Sequence, residues 1–173
     1  MSPNDPAKLS EQLSILQAAV EIEEFGIKFY GKLESCVAEE EGKALMRALA
    51  RDEATHRELL LKEIDRLMKN GGKVEPDNRY IDIVPEKVFA VLPKDRCLTV
   101  KEEVEILEVG MGVERKSIEM YTKAANNAAD PDVKRLLVDL SHIEEGHLKL
   151  LQENAYNLRM EGSWYGYSPI LEG

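Results

Sequence analysis

Apolar residues recur at steps of three and four along four stretches of the chain, the spacing that gathers them on one face of a helix. The first stretch, about residues 10–38, carries Leu13, Leu16, Val20, Ile27, Tyr30 and Val37 on that face. The second, 42–70, carries Leu45, Leu49, Leu60, Ile64 and Leu67, and stops at Asn70-Gly71-Gly72, residues that end helices. The third, 99–126, opens with Thr99 as cap and Glu102 placed to close a capping box, then runs through Val104, Leu107, Met111, Ile118, Tyr121 and Ala125. The fourth, 131–160, begins at Asp130-Pro131, a cap followed by an N1 proline, and continues through Val133, Leu137, Leu140, Leu151 and Leu158.

Short connections near Glu41-Gly42 and from Asn126 to Asp130 predict two antiparallel hairpins. Residues 71–98 between them are too many for a structureless loop in a compact domain. They are enough to run the length of a bundle, with a short helix in "PEKVFAVL" on the way. The tail, 161–173, is too short for a fifth long helix and is expected to pack Trp164 against the bundle end or a partner chain. The predicted fold is all-α: one domain over 1–173, an antiparallel four-helix bundle of two hairpins joined by a long crossover.

Six positions on the apolar faces are polar. Glu23, Glu53, His56, Glu114, Glu144 and His147 stand where the stripe calls for Leu or Ile. They also repeat. A shift of 91 positions, without a gap, lays Leu16 on Leu107, Glu23 on Glu114, Tyr30 on Tyr121, Leu49 on Leu140, Glu53 on Glu144 and His56 on His147. A buried carboxylate without a partner is heavily penalised, and four converging ones repel each other as well. Either water bathes such a cluster or cations neutralise it, and two divalent metals would cancel four carboxylate charges. Each Glu-x-x-His pair shares a helix face, so it can present an oxygen and a nitrogen to one ion.

Composition narrows the partners. The chain has 43% hydrophobic and 32% charged residues and a net charge of −10. That acidity argues against nucleic acid or an anionic membrane as partner. No apolar run approaches the roughly 20 residues that span a bilayer. The first residues lack the basic start and apolar stretch of a secretion signal, which predicts a cytoplasmic protein. Cys36 and Cys97 form no C-x-x-C pair, so this chain builds neither a zinc ribbon nor a rubredoxin-type iron centre.

The stretches "EIEEFGIKFY", "LARDEATHRELL", "VERKSIEMY" and "LSHIEEGHLKLL" resemble the rubrerythrin-type branch of the ferritin-like di-iron proteins over about residues 10–160. The resemblance implies two iron ions, with manganese or another divalent metal as substitutes. It implies that Glu53 and Glu144 bridge them and that Glu23, His56, Glu114 and His147 are terminal ligands. Which glutamate shares an ion with which histidine stays open. The chain departs from the family twice: it has no paired C-x-x-C motifs of a rubredoxin-like domain, and Ser117 stands where rubrerythrins carry an additional glutamate.

Around the six, Tyr30 and Tyr121 lie two turns beyond Glu23 and Glu114 and are candidates to hydrogen-bond a bridging carboxylate or a bound oxidant. Asp52 and Asp139, each near a Glu-x-x-His pair, are read first as solvated helix residues and second as partners standing behind the ligands. His142, about 200° round the helix from Glu144, is expected to face away. The reading is a di-iron protein that reduces peroxide or dioxygen with electrons from a separate donor such as a rubredoxin-like protein. The alternatives are an iron-oxidising storage or delivery protein and a non-enzymatic module whose metals stabilise the fold. The crossover length suggests a homodimer with exchanged hairpins.

Overall fold

The computed structural model describes residues 6–69 and 92–166, and four helices account for most of them. Helix α1 spans Pro6–Cys36, α2 Glu40–Met68, α3 Val100–Asn127 and α4 Pro131–Glu161. Helices α1 and α2 pack as one hairpin and α3 and α4 as another, with α1 facing α3 and α2 facing α4. The crossover over 71–91, its short helix included, the Asn70-Gly71-Gly72 stop and the last residues of the tail lie outside the described residues. Among the described residues no helix is long and apolar enough to cross a membrane.

The caps form as the residues dictate. Thr99 Oγ1 accepts from the Glu102 amide at 3.4 Å, while Glu102 Oε2 accepts from the Thr99 amide at 2.8 Å. Asp130 Oδ1 accepts from the amides of Asp132 and Val133, at 2.9 and 3.2 Å. The first hairpin differs from expectation. Helix α1 starts four residues earlier than predicted, and α2 starts at Glu40, so Gly42 lies inside a helix and does not mark the turn.

Trp164 explains this glycine. The indole, buried at the bundle end, covers Gly42 so closely that a Cβ there would lie 2.6 Å from two ring atoms and from Val37 Cγ1. Alanine favours a helix over glycine by about 1 kcal/mol, but overpacking costs about 1–3 kcal/mol. Gly42→Ala is therefore expected to lower stability by up to about 2 kcal/mol in urea denaturation. Gly31→Ala, where nothing lies within 4 Å, is expected to raise it. Equal gains at both sites would contradict this packing.

The core divides into two apolar blocks. One gathers residues from Leu9 to Ile22 of α1 with Leu60, Ile64 and Leu67 of α2, Met120–Ala125 of α3 and Val133–Leu140 of α4. The other gathers Phe25–Val37, Leu45–Leu49, Leu98–Val113, Leu150–Leu158 and Trp164. Ile27 and Ile118, assigned to the stripe from spacing, are only half-buried; Phe25 and Phe29 take the interior of α1. Phe29 reaches across to Gly110, where a Cβ would stand 3.2 Å from its ring. The gap between the blocks, halfway along the bundle, is filled by the six polar residues.

Candidate metal centre

Glu23, Glu53, His56, Glu114, Glu144 and His147 are each at most 4% exposed. Every helix contributes: α1 supplies Glu23, α2 Glu53 and His56, α3 Glu114, and α4 Glu144 and His147. Their donor atoms fall into two overlapping sets, each with all its atoms within 4.8 Å of one another. One set is Glu23, Glu53, His56 and Glu144; the other is Glu53, Glu114, Glu144 and His147. Glu53 and Glu144 belong to both. Spacing alone left the pairing open, and the fold places Glu23 with His56 and Glu114 with His147.

Both imidazoles turn Nδ1 inward. His56 Nδ1 lies 3.3 Å from Glu23 Oε2 and 3.2 Å from Glu144 Oε1. His147 Nδ1 lies 2.8 Å from Glu144 Oε2 and 3.3 Å from Glu53 Oε1. The two rings stack with centroids 5.6 Å apart. Gly26, one turn after Glu23, makes room for this: a Cβ there would come within 3.0 Å of the Glu53 side chain.

The tyrosines correct the sequence reading. Their partners are carboxylates that belong to one set each, not the shared ones, and each tyrosine reaches the opposite hairpin. The Tyr30 hydroxyl donates to Glu114 Oε1 and the Tyr121 hydroxyl to Glu23 Oε1. Both tyrosines are buried beside these carboxylates, and burial first and the facing carboxylate next push their hydroxyl pKa values well up. Ser117 is buried, and its hydroxyl donates to the Val113 carbonyl at 3.2 Å in its own helix. No seventh carboxylate enters from that position. His142 and Asp139 are exposed. Asp52, read as solvated, is half-buried, with Oδ2 3.6 Å from His147 Nε2. Its place beside Glu53 made it a candidate partner in the sequence, but the imidazole it approaches belongs to another helix.

The electrostatics are those of a site short of positive charge. Burial, then the neighbouring carboxylates of Glu23 and Glu144, pushes Glu53 well above the usual carboxylate range. Burial and Glu144 do the same to Glu114. Burial would raise Glu144 as well, but the imidazoles of His147 and His56 beside it outweigh that and hold Glu144 at about 2. Burial would lower His56, yet Glu144 and Glu23 hold it up at about 9. His147 is raised in the same way by Asp52, Glu144 and Glu53. Protons here stand in for cations.

Divalent metal fits the donor set. Glu53 Oε1, both Glu144 oxygens and both His147 nitrogens are buried without a hydrogen-bond partner among the described residues. Buried polar atoms are rarely left in that state. Glu53 Oε1, the Glu144 oxygens and His147 Nδ1 lie close together without the alignment of hydrogen bonds, as donor atoms facing a shared cation would. Oxygen and imidazole donors suit iron, manganese and zinc.

Residues 14–155 match the family described as Rubrerythrin. The chain belongs to the rubrerythrin family. Among solved structures, this rubrerythrin-family chain is similar to a hypothetical protein from Pyrococcus furiosus, with TM-score 0.72 and 25% identity over 86% of this chain and 90% of that one. It is also similar to the bacterioferritin-related protein from Bacteroides fragilis, described as a dodecameric thioferritin, with TM-score 0.65 and 21% identity over 91% and 92% of the two chains. At that identity the second likeness concerns the fold, which is ferritin-like. No curated protein matches the chain.

Proposed function

We propose that this rubrerythrin-family protein is a di-iron oxidoreductase that reduces hydrogen peroxide or dioxygen. The observation that carries the reading is the pair of overlapping ligand sets that share Glu53 and Glu144 inside an apolar bundle. Two adjacent ferrous ions, when bound, supply the two electrons that one peroxide needs to become water.

The chain's own residues do the rest. Glu53 and Glu144 hold the two positions together, and Glu23 with His56, and Glu114 with His147, complete them. Tyr121 and Tyr30 fix the orientation of Glu23 and Glu114 through their hydroxyls. Those hydroxyls are also the nearest neutral proton donors to the terminal carboxylates. The apolar blocks above and below keep bulk water away and admit only a small oxidant. Cys36 and Cys97 cannot build a four-thiolate iron centre, so electrons come from a donor protein outside these 173 residues, of the rubredoxin-like kind. A homodimer in the reducing cytoplasm belongs to the same reading, and light scattering tests the assembly.

The deciding experiment loads the protein anaerobically with two ferrous ions per chain and mixes it with hydrogen peroxide in stopped flow. Consumption of one peroxide per two ferrous ions, faster than by free ferrous iron, is expected. Iron uptake that continues well past two per chain would replace this reading with iron storage. Stabilisation by metal without any oxidant consumption would reduce the site to a structural one.

A further inference from the structure

The 91-residue repeat carries all six cluster residues and both tyrosines from one half to the other, but not the residue beside them. Asp52 precedes Glu53 on α2, and the same step lands on Ile143, which precedes Glu144 on α4. The difference falls on the outer face of the imidazoles. His147 gives Nδ1 to the cluster and turns Nε2 toward Asp52 Oδ2, 3.6 Å away. Closing by about half an ångström makes that a hydrogen bond. Among the described residues, the carboxylates within ion-pair distance of His56 are Glu23, Glu53 and Glu144, and each is approached through Nδ1. At the position equivalent to Asp52, Ile143 is 39% exposed and offers no acceptor.

A carboxylate at the outer nitrogen of a ligating imidazole fixes the ring and makes the inner nitrogen a stronger donor. It also adds negative charge to one side of an otherwise symmetric cluster. We propose that Asp52 makes the two metal positions unequal, so that the position of Glu114 and His147 fills first and holds its ion more tightly than that of Glu23 and His56. This rests on the dimetal reading above and adds an order of filling to it. Asp52 is a positioning residue, since it meets the imidazole and not the metal. Loss of such an outer partner costs about 10–100-fold in affinity. The Asp52 side chain is 31% exposed, which places the effect toward the lower end.

Zinc tests this without redox chemistry. The metal-free protein is titrated with zinc against a chromophoric chelator, and the two stepwise constants are compared with the fourfold ratio that two identical sites would give by statistics. The wild type is expected to show a further separation of at least about tenfold. Asp52→Ala should shrink it by weakening the first step, and Ile143→Asp should shrink it by tightening the second. In nitrogen-15 spectra of the zinc-loaded protein, Asp52→Ala should shift the outer N–H of His147 and leave that of His56 in place. A residue that merely supported the fold would not produce opposite changes in the two constants. Both substitutions fall at partly exposed positions, and circular dichroism checks that each variant is helical. Two zinc ions bound with only the statistical ratio, or a separation unchanged in Asp52→Ala, overturn the inference alone. Uptake of fewer than two ions by the wild type overturns the dimetal reading and the inference with it.

Discussion

Stripped of metal, the protein will lose stability as pH rises from about 6.5 to about 9, and saturating divalent metal will reverse that slope. The sign follows from where the protons sit. His56 has its pKa raised in the folded state from an ordinary 6.5 to about 9, so the fold binds that proton more tightly than the unfolded chain does. Its contribution is complete below 6.5 and is lost as pH climbs through 9. His147 is raised for the same reason. Glu53 and Glu114 are raised by burial and by their neighbours, so they too favour the fold while protonated and cease to do so once ionised. Glu144 works in the opposite direction, but only in acid, where its contribution is lost as pH falls through about 2. The displacement of His56 alone corresponds to on the order of 3 kcal/mol.

Divalent ions compete for the same atoms and bind only when they are deprotonated, so metal affinity rises with pH. At a thousandfold excess over Kd, one bound ion adds about 4 kcal/mol, or roughly 8–16 °C in Tm for a chain of this length. Thermal melts in chelator and in manganese or zinc, across pH 6 to 9.5, check both halves of the prediction. Parallel slopes in the two series would mean that metal does not take the place of these protons.

The repeat made much of this visible before any coordinates. Glutamates and histidines on an apolar stripe, in register across 91 residues, already implied two like hairpins facing each other. Capping residues gave the starts of α3 and α4 because Thr99, Glu102 and Asp130 act within a few residues of chain. Where contacts come from elsewhere in the fold, the reading failed. Gly42 looked like a turn by local preference, whereas the packing of Trp164 needs a glycine inside a helix. Tyr30 shares a face with Glu23, yet it serves Glu114 of the other hairpin, a choice made by helix apposition and not by period. Asp52 was ranked first as a solvated residue for the same reason. Its partner His147 is 95 positions away, and in the sequence Asp52 is marked by its place beside Glu53 and by the mismatch with Ile143 in the repeat.

Glu53→Ala and Glu23→Ala should differ in how many ions they cost, and the difference tests the shared-ligand geometry directly. Glu23 serves one set, with His56; Glu53 serves both. Outer partners of metal ligands already cost about 10–100-fold in affinity when removed, so loss of a ligand itself should cost at least that much. At micromolar metal the wild type should retain two ions per chain after gel filtration, Glu23→Ala one, and Glu53→Ala fewer than one, as counted by elemental mass spectrometry. Equal counts in the two variants would contradict a Glu53 shared between positions. Peroxide consumption should not follow the count. A two-electron reduction needs both ions at once, so Glu23→Ala should lose at least about a hundredfold in rate while keeping half its metal. The ion that it keeps is the one beside His147, and one ferrous ion alone supplies half the electrons that a peroxide takes.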